Sequence, residues 1–93
     1  MSGGNHITRR ARIANQKGLH ARAAAKFVKT SGGFNADIRV TKGEMDVSGS
    51  SIMGLMMLAA GIGSELEIQA SGPDAAQAVA ALIDLIDRKF DEE

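Results

Sequence analysis

Near the amino terminus, apolar side chains fall on alternate positions. Ile7, Ala11 and Ile13 take odd places and Thr8, Arg10 and Arg12 even ones, with Arg9 breaking the series. A period of two marks a strand with one buried face, so the pattern predicts a strand over 6–14 and a loop over 15–18. The spacing then changes to three and four. Ala21, Ala24, Ala25 and Val28 share one helical stripe with Phe27 beside them, and Ser31-Gly32-Gly33 supplies a stop. Alternation returns at Phe34, Ala36, Ile38 and Val40, set against Asn35, Asp37, Arg39 and Thr41. Lys42-Gly43 is a turn signal, and Met45 and Val47 resume the alternation, which predicts a hairpin leaving through Ser48-Gly49-Ser50. A short helix is predicted from Ile52 to about Ala59, ended by Gly61 and Gly63, with Ile52, Leu55, Met56 and Ala59 as its buried face. Leu66, Ile68 and Ala70 against Glu65, Glu67 and Gln69 give a fourth strand. Pro73 opens a last helix where its missing N–H is no loss, and Ala76, Val79, Ile83, Ile86 and Phe90 form its stripe.

The predicted order is βαββαβα. It implies an α+β fold: a four-stranded antiparallel sheet with a polar face in water and three helices over the other face. At 93 residues and 9.7 kDa there is length for one core. No repeat or linker interrupts the chain, so a single domain is expected over 1–93, with 1–5 and 91–93 frayed.

Composition agrees with a folded chain, at 44% hydrophobic and 24% charged residues. The absence of cysteine excludes disulfides, thiolate metal sites and thiol nucleophiles, and leaves the cytoplasm as the expected compartment. Met1 to Arg10 lack the apolar stretch of a secretory signal, and Ile52 to Ile62 is too short to span a bilayer. Formal charge is zero but unevenly divided. Residues 1–43 hold nine Lys/Arg against Asp37 alone, and residues 44–93 hold ten Asp/Glu against Arg88 and Lys89. Such a division marks either a basic contact surface or two halves that face each other in the fold.

Only His6 and His20 titrate near neutrality in their ordinary state. His6 lies at the edge of the first strand and reads as a solvent residue. His20 lies at a loop-to-helix junction, Lys17-Gly18-Leu19-His20-Ala21-Arg22. There its imidazole is expected to cap the helix, and an anion on or beside the ring meets the unpartnered N–H groups and positive end of the dipole. The same field favours a neutral, nucleophilic ring. Arg22, one residue into the helix, carries a fork that grips phosphate oxygens. A plain helix cap beside a surface arginine would have the same composition. In the Ile52 helix, Met53 and Met57 form a second apolar line, which is either a deeply buried helix or an adaptable docking surface. Ser51 reads as that helix's N-cap, and a phosphate on it would add charge beside any such surface.

Other signatures fail. Gly61-Ile62-Gly63 lacks dinucleotide-loop spacing, and there is no phosphate-binding Walker sequence, metal-spaced His/Asp cluster or nucleophile elbow. With three Phe and no Tyr or Trp, no base-stacking platform accompanies the basic half, so nucleic acid is not an expected partner.

Gly18-Leu19-His20-Ala21-Arg22, followed by Ala24-Ala25 and Phe27-Val28, resembles the phosphohistidine signature of the histidine-containing phosphocarrier (HPr) family of the bacterial phosphotransferase system. The likeness covers nearly the whole chain, and the predicted elements match that family's open-faced β-sandwich. Gly49-Ser50-Ser51-Ile52-Met53-Gly54-Leu55 falls where the family keeps its regulatory serine and second helix. The resemblance implies a relay rather than an enzyme, with no cofactor and no metal. His20 would accept a phosphoryl group on Nδ1 from phospho-Enzyme I, charged by phosphoenolpyruvate, and pass it to an Enzyme IIA histidine. Arg22 would position the group. Ala21, Ile52, Met53 and Met57 would form the partner surface, and Ser51 would be the target of HPr kinase/phosphorylase. A monomer is expected, since one face must serve several partners. Where the family usually has proline, this chain has Ala23, which loosens the first turn by about 0.4–1 kcal/mol but returns an N–H. With Met56-Met57-Leu58-Ala59-Ala60, that alanine is more similar to the nitrogen-related, regulatory branch than to the sugar-uptake branch. A purely regulatory module acting through the Met53/Met57 helix, without phosphotransfer, is the alternative.

Overall fold

A computed structural model describes residues 5–92. Four strands, β1 (Asn5–Arg12), β2 (Asp37–Lys42), β3 (Met45–Ser48) and β4 (Glu65–Gly72), form one antiparallel sheet in the order β1-β4-β2-β3. Helices α1 (Ala21–Ser31), α2 (Ile52–Met57) and α3 (Ala75–Asp87) complete the expected α+β order. Pairing sets the inner rows: Ile7 opposite Ala70, Ala11 opposite Leu66, Ile38 opposite Ala70 and Val40 opposite Ile68. These residues and the buried helix faces form one apolar cluster. On the outer side, register puts Arg12 opposite Glu65, with 3.1 Å between guanidinium and carboxylate, and Arg39 reaches Asp46 at 3.2 Å. Across these strands the basic and acidic halves of the sequence face each other.

The strand faces follow the alternation closely; several helix faces do not. α1 buries Ala23, Ala24, Phe27 and Ser31, while Ala21 and Ala25 are exposed. The buried stripe centres on Phe27, the largest apolar group on the helix. α2 ends at Met57 because Ala59 takes a left-handed conformation (φ 52°), two residues before Gly61. Only Leu55 is buried within it, followed by Leu58, and Ile52, Met56 and Ala59 face outwards against expectation. The hairpin turns on Gly43 and Glu44, one residue later than expected, since Lys42 still pairs with Met45. Pro73 precedes the helix rather than opening it: Asp74 is the N-cap residue, and its carboxylate accepts from the Asn35 N–H at 2.8 Å. In α3 the buried residues are Ala75, Ala78, Val79, Leu82, Leu85 and Ile86, with Ala76 exposed.

Candidate functional site

Gly18 shapes the loop that presents His20. Its φ of +68° lies in the left-handed region, and a Cβ there would stand 2.4 Å from the Ala60 carbonyl oxygen. Only glycine allows the loop to lie this close to the segment after α2, where the Leu19 N–H donates to the same Ala60 oxygen at 2.9 Å. Asn15, fully buried, closes the loop by donating from its side-chain amide to the Gly18 carbonyl at 2.8 Å.

His20 is the N-cap residue of α1, as the sequence predicts, but its ring does not cap. The first intrahelical bond runs from the Ala24 N–H to the His20 carbonyl at 2.8 Å, so the N–H groups of Ala21, Arg22 and Ala23 precede the ladder. The imidazole, 27% exposed, turns to the Glu92 carboxylate and meets it through Nε2 in a short contact. Among the described residues Nδ1 has no partner.

Glu92 was expected to fray, and the sequence alone does not point to it. After α3 the chain makes a left-handed turn through Lys89, Phe90 and Asp91, with φ of 60°, 55° and 60°. For residues with a Cβ this costs about 3–6 kcal/mol over the turn. Full burial of Phe90 offsets about 1.5–3 kcal/mol of that. The Lys26 ammonium donates to the Phe90 carbonyl at 2.6 Å, and a bond to a charged group contributes a similar 1.5–3 kcal/mol, roughly. The turn delivers Glu92 to Asn15, whose side-chain amide donates to Oε1 at 2.9 Å, and to His20. Burial opposes ionisation of this carboxyl. The hydrogen bonds from His20 and Asn15 and the charges of His20 and Lys17 outweigh it, so Glu92 titrates below its ordinary range. Phe90 therefore belongs to the core, but through this turn rather than through the α3 stripe.

Gln16, Lys17, His20, Arg22, Lys26, Asp91 and Glu92 line one cleft. Arg22 and Lys26 are four residues apart on one helical face, so both cations line the cleft that holds the ring. A second cleft, lined by Lys17, Leu19, His20, Ala59, Ala60 and Gly61, joins His20 to the segment after α2. On α2 the Ser51 hydroxyl accepts from the Gly54 N–H at 2.9 Å, making the expected N-cap. Met53 is 73% and Met57 64% exposed, with Ile52, Met56 and Ile62 also open to solvent, so the apolar excess of this helix is surface. The structure thus gathers His20 and Arg22 in one cleft, with Ala21 exposed at the start of α1, and puts Ser51, Ile52, Met53 and Met57 on the helix packed beside it.

Comparison with known proteins decides the family. The model described as "PTS HPr component phosphorylation site" matches residues 7–88. This chain belongs to the HPr family. Phosphocarrier protein HPr of Neisseria meningitidis serogroup A is 50% identical over 80 residues, covering 86% of this chain and 90% of that protein. Phosphocarrier protein NPr of Shewanella violacea is 41% identical over 86 residues, covering 92% and 94%. The crystal structure of HPr from Thermoanaerobacter tengcongensis superposes with a TM-score of 0.86 at 43% identity, covering 96% of this chain and 98% of that one. As an HPr-family protein the chain is a phosphocarrier of the phosphotransferase system and not an enzyme. Among the described residues no helix is long and apolar enough to cross a membrane.

Proposed function

We propose that His20 is the phosphorylated residue of this HPr-family carrier. The lone pair on Nδ1 bonds the phosphorus carried by phospho-Enzyme I, the phosphorus–nitrogen bond of the donor breaks, and the donor imidazole keeps that electron pair. The reverse exchange delivers the group to a histidine of an Enzyme IIA. The observation that carries this reading is the partly exposed His20 ring at the start of α1, with no partner on Nδ1 among the described residues and with Lys17, Arg22 and Lys26 around its cleft. Arg22 grips the phosphoryl oxygens, and the free N–H groups of the first turn, that of Ala23 included, add partial positive charge. The exposed residues Ala21, Ile52, Met53 and Met57 support a partner surface continuous with the histidine cleft. Ser51 caps α2 at the edge of that surface, a position from which phosphorylation by HPr kinase/phosphorylase would repel a partner. Ala23 and the Met56-Met57 pair favour a place in the nitrogen-related branch, acting in the cytoplasm as a monomer.

Intact mass and 31P NMR after incubation with Enzyme I, Mg2+ and phosphoenolpyruvate test the assignment. One acid-labile phosphoryl group is expected on the native chain and none on His20→Ala. Full phosphorylation of His20→Ala would overturn it. The exposure of Met53 and Met57 also favours a second reading, a binding module without phosphotransfer. In that case a regulatory partner binds His20→Ala normally and loses Met53→Glu.

A further inference from the structure

The contact between Glu92 and His20 joins residues 72 positions apart and uses one ring nitrogen only. An ionised carboxylate is an acceptor without a proton to give, so the hydrogen in this contact belongs to Nε2. Asn15 holds the other carboxylate oxygen, and Phe90 and Lys26 fix the turn behind it. Three groups thus aim one carboxylate at one nitrogen.

We propose that Glu92 is a positioning residue for phosphoryl transfer: by accepting the Nε2 hydrogen it fixes the ring's orientation and tautomer, and leaves Nδ1 as the nitrogen with a lone pair for phosphorus. This rests on the assignment of His20 as the acceptor. When Nδ1 bonds phosphorus, the ring gains positive charge while the Nε2 proton stays in place. The Glu92 contact then becomes a bond between a cationic donor and an anionic acceptor, so it is stronger in the phosphorylated ring than in the free one. The carboxylate lies on the nitrogen away from the reacting one, which keeps its charge off the incoming phosphoryl oxygens.

The test compares the native chain with Glu92→Gln and Glu92→Ala in single-turnover phosphorylation by phospho-Enzyme I, with His20→Ala alongside. Glu92→Gln and Glu92→Ala are expected to lower the maximal rate roughly tenfold or more, the scale known for carboxylates that orient metal-bound histidines through the ring's other N–H. The concentration dependence on the carrier should stay unchanged. In the downfield proton spectrum, an exchange-protected imidazole N–H of His20 is expected in the native chain and absent from Glu92→Ala. Native rates in both variants would overturn the inference, as would a loss confined to half-saturation, which would assign the segment to partner docking. Phosphate found on Nε2 would overturn it as well. If instead the native chain is not phosphorylated, or His20→Ala is, it is the underlying assignment that fails.

Discussion

Glu92 and its neighbour Asp91 both titrate below their ordinary ranges. For Asp91 the main cause is the hydrogen bond from Arg88; burial opposes it, and the charges of Arg88 and Lys26 add to it. A carboxyl with a lowered folded-state pKa contributes stability that is present above its unfolded value and lost as pH falls through the folded one. An imidazole and an imidazolium can each present an N–H at Nε2 to the carboxylate. Docking of the segment after α3 is therefore expected to be unchanged from neutrality to about pH 5, and to fail below about pH 4, where free glutamate is itself half protonated. Amide signals of residues 89–92 followed by NMR would show it, and release of the segment between pH 5 and 7 would contradict it. His20 itself was legible in the sequence, because a glycine, a histidine and an arginine before a run of small residues describe a helix start locally. Glu92 was not. Its role depends on a left-handed turn at residues with side chains, which no local preference announces.

At the scale of elements, α2 depends most on a single cap. It has six residues, fewer than an isolated helix needs, and one buried side chain, Leu55. The Ser51 hydroxyl bond to the Gly54 N–H is accordingly a large share of what defines its start. Ser51→Ala should lower stability by about 1 kcal/mol in urea unfolding and leave phosphorylation by Enzyme I unchanged. A loss of phosphorylation without loss of stability would show that the hydroxyl acts in transfer. The strands were readable because burial and alternation coincide: Ile38 and Val40, then Leu66, Ile68 and Ala70, all point inward. The helices were less so. Alanine at 21, 23, 24 and 25 fits a buried or an exposed position equally, and it is packing around Phe27 that selects Ala23 and Ala24. On α2 the spacing assigns Ile52, Leu55, Met56 and Ala59 to the buried face and leaves Met53 and Met57 open, yet only Leu55 and, after the helix, Leu58 and Ala60 are buried, and the rest is left as surface.

At the scale of the whole molecule, Phe90 ties the apolar core to the site. Phe90 is fully buried beneath the turn that carries Glu92, so the apolar core sets where the carboxylate lies. Replacing a buried phenylalanine by alanine costs about 3–5 kcal/mol. Here the loss should fall near the lower end, because releasing the turn also relieves its left-handed strain. For a domain whose total stability is on the order of 5–15 kcal/mol, Phe90→Ala remains folded but marginal. It should also lose the exchange-protected His20 N–H, since the carboxylate is no longer aimed. Glu92→Ala is expected to lose that N–H with a smaller fall in the urea midpoint than Phe90→Ala, because it removes the hydrogen bonds of the carboxylate and none of the apolar core. The pair of variants separates anchoring from aiming: if Phe90→Ala kept the imidazole signal while losing stability, the carboxylate would be held by Asn15 and Lys26 alone, and the core would have no part in placing it.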